Sequence, residues 1–181
     1  MLNATRNTLR TLSLCLLSPL LTGQIHARSE PEIKAAYIYN FIKFVQWPGE
    51  QTHSTINVCT LDDSVMAHRL EPLHGQTLRN QDIHITHISY DDRTIPAQLE
   101  HCSVLYVGRA SMEHLPSILD RVKAQPMLLI SDIDGFANRG GMIEFVTLGD
   151  VVRFNINVRS AREAQMSISS KLLELANQVV Q

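Results

Sequence analysis

The chain has 181 residues with 16 basic and 18 acidic side chains, a formal net charge of −2. That length suits one domain built on one hydrophobic core. No block of like charge exceeds two residues, which argues against a nucleic-acid groove or a polybasic membrane patch.

Residues 1–27 read as a secretory signal. Arg6 and Arg10 form a basic start, Thr11–Leu21 is an apolar run too short to span a bilayer, and cleavage is expected after Ala27. A retained membrane anchor is the competing reading. Cys15 follows Leu14 inside the apolar run, a poor context for lipid attachment. The expected destination is the periplasm of a Gram-negative bacterium, and the domain proper spans residues 28–181. Loss of Arg6 and Arg10 leaves 14 basic against 18 acidic side chains, a mature net charge of −4.

The mature chain opens with KAAYIYNFIKFVQWPGE, Lys34 to Glu50, which holds five of the ten aromatic residues. Glu30, Pro31 and Glu32 favour a helix start there, and Pro48 ends the segment. Ile33, Tyr37, Phe41, Phe44 and Val45 recur at helical spacing and predict its buried stripe. Tyr39 lies off that stripe and Trp47 sits at its end, so these two are candidates for a partner surface or a pocket rim. Thr55–Leu61 reads as a buried strand, Val65–Leu73 as a helix, and Asp82–Ser89 as a strand with Ile83, Ile85 and His87 on one face and His84 on the other.

Ser103–Gly108 and Pro126–Asp132 are continuous apolar runs of the kind that a parallel sheet buries on both faces. A helix from Ser111, as its N-cap, to about Ala124 is expected between them. GFANRGG, 135–141, is a turn-rich loop. Residues 142–158 predict a hairpin around Gly149-Asp150, with Val152, Phe154, Ile156 and Val158 alternating against Arg153, Asn155 and Asn157. One helix from Ser160 to about Val179 closes the chain, with Ala161, Ala164, Ile168, Leu172, Leu175, Ala176 and Val179 as its stripe. The alternation predicts an α/β fold: a single three-layer αβα domain with a mixed, mostly parallel sheet and a C-terminal antiparallel hairpin and helix.

Once the signal is removed, two cysteines remain, Cys59 and Cys102. In an oxidising compartment they either bridge, closing a loop of roughly 40 residues worth at most about 4 kcal/mol, or stay as buried thiols. No nucleophile elbow or phosphate loop occurs, and the histidine spacings give no metal site, so no catalytic residue, metal or cofactor is assigned. GFANRGG can offer backbone N–H groups to an anion, though a tight connection explains it as well. Asp132 and Asp134 follow a strand end, where α/β folds place reactive carboxylates, but turn chemistry accounts for them and for Asp91-Asp92 too. A crevice near Asp132 and Arg153 is the candidate ligand site.

KAAYIYNFIKFVQWP is similar to the opening helix of YfiR-type periplasmic proteins, and RFNINVRSAREAQMSISSKLLELA to their closing segment. CTLDD, HCSVLYVG, LLISDIDGF and GGMIEFV fall between them in the order the YfiR family shows. The resemblance implies a periplasmic repressor rather than an enzyme. Such a protein binds the periplasmic domain of an inner-membrane diguanylate cyclase, lowers cyclic di-GMP, and is released under envelope stress or altered redox conditions, often by an OmpA-like outer-membrane lipoprotein. It also places Cys59 and Cys102 at the family's long-range disulfide. Some relatives carry a second disulfide that begins in the glycine loop, where this chain has Ala137, so weaker redox response or readier unfolding on reduction is expected. A homodimer would match the symmetry of a dimeric cyclase. The competing class is a periplasmic small-ligand-binding protein without a cyclase partner.

Overall fold

The structure is a computed structural model that describes residues 28–49 and 54–181. The predicted signal, residues 1–27, lies outside the described residues.

Helix α1 (Glu30–Phe44) starts where the acidic first turn and Pro31 place it, with a capping box between Ser29 and Glu32. Its buried residues are Lys34, Ala35, Ile38, Phe41 and Ile42. The buried stripe is therefore rotated from the predicted one, and Ile33, Tyr37 and Phe44 are only partly buried against the core. Aromatic crowding explains the rotation. Tyr37 stacks on Phe41 at 5.9 Å, and both rings also meet Phe145 and Phe154 from the sheet.

The short β1 (Val45–Gln46) follows, then β2 (Thr55–Leu61) and α2 (Ser64–Leu70), whose N-cap Asp63 accepts from the Met66 N–H at 2.8 Å. A 3-10 turn at Glu71–Leu73 leads through β3 (Thr77–Leu78) to β4 (Gln81–Ile88). Next come α3 (Ile95–Leu99), β5 (Val104–Val107), a 3-10 stretch at Arg109–His114, α4 (Leu115–Arg121) and β6 (Leu128–Ser131). Ser111 is not an N-cap. It is buried inside the 3-10 stretch and donates its hydroxyl to Asp62. The hairpin is β7 (Ile143–Leu148) and β8 (Val151–Asn157), with Phe145 opposite Phe154.

The predicted closing helix is broken into four pieces: α5 (Val158–Glu163), β9 (Ser167–Ile168), α6 (Ser170–Glu174) and β10 (Gln178–Val180). Gln165 takes a left-handed φ of 57°, which stops α5. Ser167 and Ile168 then pair with Gln46 and Val45, and the Ser169 hydroxyl caps α6 by accepting from the Leu172 N–H.

The main sheet has eight strands in the order β10-β8-β7-β6-β5-β2-β4-β3. Only the β7–β8 and β3–β4 pairs within it are antiparallel. Strands β5 and β6 are buried at every position, as their apolar runs require. From β2 the chain crosses to β4 on one side, then returns through α3 to place β5 on the other side of β2. The strand order thus reverses between β2 and β5, and the crevice beyond their carboxyl ends is the topological switch point, where open α/β sheets receive ligands.

Candidate functional site

Four strand ends converge on the switch point. Asp62 follows β2 with a φ of 51°, and its carboxylate spans the crevice. Oδ1 accepts from the Tyr90 N–H beyond β4 at 2.9 Å, and Oδ2 accepts from Ser111 beyond β5. Gly108, at the end of β5, passes so close to this turn that a Cβ would sit 2.7 Å from the Asp62 carbonyl oxygen. Glycine is required there by proximity alone.

Beyond β6 stands Asp132, 9% exposed. Lys34, 5% exposed, reaches it from α1 with Nζ 2.7 Å from Oδ2 and is also 2.6 Å from Glu30. Arg109 approaches the same Oδ2 at 3.3 Å and touches the exposed Asp134 at 3.5 Å. Burial pushes the Asp132 carboxyl up, but the hydrogen bond and charge of Lys34, and then those of Arg109, together hold it below the usual carboxylate range. Burial, with the nearby charges of Asp132 and Asp63, raises the Tyr106 phenol on β5 far above its ordinary value. Asp132 Oδ1 is enclosed and has no hydrogen-bond partner among the described residues, while Oδ2 takes both Lys34 and Arg109. An enclosed acceptor of this kind suits a donor from water or a ligand.

Arg153 is not part of this cluster. It is exposed on β8, cross-strand from Val146, and no contact among the described residues joins it to Asp132. The cations on Asp132 are Lys34 and Arg109, which sequence reasoning missed. The available signal was Lys34 itself, a lysine at the buried spacing of α1, and an arginine directly after the Gly108 strand end.

At the opposite, amino ends of the strands, Trp47 is half-buried and its indole N–H donates to the Ser103 carbonyl at 3.2 Å. It borders a pocket with Pro48, Asn57, His101 and Cys102. Cys102 is joined to Cys59 in a disulfide that spans 43 residues. Tyr39 is half-buried, with Lys43 Nζ 5.4 Å from its ring centre. Trp47 thus lies at the other end of the strands from the Asp132 cluster. The first and last segments singled out in the sequence do meet: β1 pairs with β9, and the Ser169 N–H donates to the Phe44 carbonyl at 3.0 Å. His84 lies beside His74 with ring centres 5.3 Å apart, while His87 points to Thr60. Among the described residues no three His, Cys, Asp or Glu side chains are grouped to hold a metal ion.

The sequence model of the family described as YfiR/HmsC-like matches residues 31–177. No curated protein matches the chain in sequence. Among solved structures, an ABC domain in complex with L-Trp from Streptococcus pneumoniae is similar, at 11% identity and a TM-score of 0.60. A conserved domain protein from Vibrio cholerae O1 biovar El Tor is similar too, at 12% identity and a TM-score of 0.57. In both cases 83% of this chain is covered against 60% of the other. The chain thus spans well under two thirds of the length of either, and at this identity the likeness bears on the fold alone.

Proposed function

Because the chain belongs to the YfiR/HmsC-like family, we propose that it is a periplasmic regulatory protein that binds the periplasmic domain of an inner-membrane diguanylate cyclase and keeps cyclic di-GMP synthesis low. The observation that carries this reading is the family match over residues 31–177, which runs from α1 through α6 without interruption. The Cys59–Cys102 bridge is consistent with an exported protein. Contact with another protein needs no catalytic constellation. Tyr39 is the proposed aromatic contact, with Trp47 nearby at the end of the same segment. An OmpA-like lipoprotein that removes the repressor, and a homodimer that matches the cyclase, complete the proposal.

The test is capture. The oxidised chain from Arg28 is immobilised and presented with detergent-solubilised envelopes of its source cell. Recovery of an inner-membrane protein with a GGDEF domain, weakened by Tyr39→Ala at unchanged stability, is the expected result. Recovery of no cyclase under mild conditions removes the reading.

The unpartnered Oδ1 of Asp132 at the switch point favours a second reading, a small-ligand binder whose ligand brings a hydrogen-bond donor. Amino acids are natural first probes, since their ammonium group is a hydrogen-bond donor. A ligand bound only by the folded state raises the melting temperature, and the rise should be absent in Asp132→Asn.

A further inference from the structure

A separate cavity of about 590 Å³ lies against α4, away from both the switch point and the Trp47 pocket. Its accessible apolar lining is Pro116 and the half-buried Leu119 of α4, beside a floor of Leu115, Val122, Leu129 and Met142 that is itself almost wholly covered. Three different segments wall it: α4 with the turn after it, the glycine loop at 138–140, and the start of α5. Each wall contributes one cation, Lys123, Arg139 and Arg159 respectively.

Lys123 and Arg139 take part in no ion pair or side-chain hydrogen bond among the described residues, and Arg159 donates to the Gln181 carbonyl oxygen at 2.9 Å. Two anions, Asp120 and Glu163, also line the rim, but neither is paired with these cations. A single unpaired surface lysine means little. Three cations from three elements, set against two carboxylates, leave the rim with a net positive charge in a chain whose net charge is negative, which favours an anionic ligand.

The walls are also fixed in advance. Asn157 is buried and lines the cavity. Its Nδ2 donates to the Ala137 carbonyl at 2.6 Å while its Oδ1 accepts from the Ser160 N–H at 3.0 Å, which ties the loop to α5. The buried Glu144 carboxylate accepts from the Gly135 and Ala137 N–H groups at 2.9 and 3.1 Å and holds the loop on β7. A cavity built this way loses little entropy on filling.

An apolar wall beside a rim that carries three cations against two anions is the complement of an anionic amphiphile. We propose that this cavity binds a carboxylate carried on an acyl chain, with the chain along Pro116 and Leu119 of α4 and the carboxylate among Lys123, Arg139 and Arg159.

The probe is dodecanoate below its micellar range, titrated calorimetrically into the purified, oxidised protein. Saturable binding is expected, and dodecyltrimethylammonium, the same chain with opposite charge, should bind at least about tenfold more weakly. The exposed pair Lys123→Ala/Arg139→Ala should weaken dodecanoate by a similar factor and leave the melting temperature unchanged. Leu119→Glu, which puts a charge of the wrong sign in the α4 wall, should abolish binding. No binding of dodecanoate, equal binding of the two amphiphiles, or affinity indifferent to the double replacement would each overturn the site. No cyclase enters the measurement, so its failure leaves the regulatory reading untouched.

Discussion

Asp132 joins three parts of the molecule through one carboxylate: α1 by Lys34, the segment after β5 by Arg109, and its own position after β6. Such a pair is weak evidence for stability as a whole, but removing one member leaves a charge buried. Asp132→Asn keeps the shape and leaves Lys34 with the half-exposed Glu30 and the Phe145 ring face 5.9 Å away. The expected loss at neutral pH is about 3 kcal/mol, at the lower end for a broken buried pair because these other partners survive. The pH dependence has a definite sign. With its folded pKa held below the ordinary carboxylate value, Asp132 contributes stability that is present above about pH 3.9 and lost as pH falls through the folded value. Urea unfolding of the native protein and of Asp132→Asn at neutral and acid pH should show the gap between them closing on acidification. A gap that stays constant would mean that Asp132 is not ionised at neutral pH.

Helix α1 is held at both ends by residues distant in sequence, at its start by Asp132 and at its finish by Arg79. The Arg79 guanidinium donates to the carbonyls of Ile42 and Val45, at 3.2 Å for the latter, where the last turn leaves oxygens without helical partners. Arg79→Ala should therefore cost about 2 kcal/mol, as a charged donor lost from part-buried acceptors. Arg79→Lys should recover only part of it, since both bonds leave one terminal nitrogen, Nη2, which the shorter lysine stem does not carry to the same point. Thermal unfolding of the two variants distinguishes them, and equal melting temperatures would show that charge rather than geometry matters. Elements governed by local rules were legible in the sequence: the start of α1, strand β2 and the β7–β8 hairpin all follow from caps, apolar runs and turn residues. The closing segment was not. Its apolar residues fit a helical stripe, and only pairing with β1, some 120 residues earlier, explains why Ser167–Ile168 is extended. The rotation of α1 and the approach of Arg109 to Asp132 have the same origin, since both depend on residues that become neighbours only after folding.

Across the whole molecule, the Cys59–Cys102 disulfide ties the middle of the sheet. Cys59 lies on β2, which pairs with both β4 and β5, and Cys102 lies just before β5. The sequence expectation of weaker redox response or readier unfolding on reduction, drawn from the missing second bridge at Ala137, needs a physical qualification, because the loop has other restraints. The Ala137 N–H is bound by Glu144 and its carbonyl by Asn157, so the loop is pinned to β7 and β8 without sulfur. Reduction therefore removes one constraint, on the β2–β5 side, and leaves the loop in place. In the chain-entropy account a bridge spanning 43 residues contributes up to about 4 kcal/mol. Cys59→Ala/Cys102→Ala should lower the urea unfolding free energy by up to that amount, and reductant should lower the native protein's by the same amount while leaving the variant unaffected. Hydrogen exchange in the reduced state should rise first in β2 and the segment before β5, with 135–141 still protected. Early loss of protection in 135–141 would mean that Glu144 and Asn157 hold the loop only while the bridge is intact, and the two halves of the sheet would then respond to reduction as one unit.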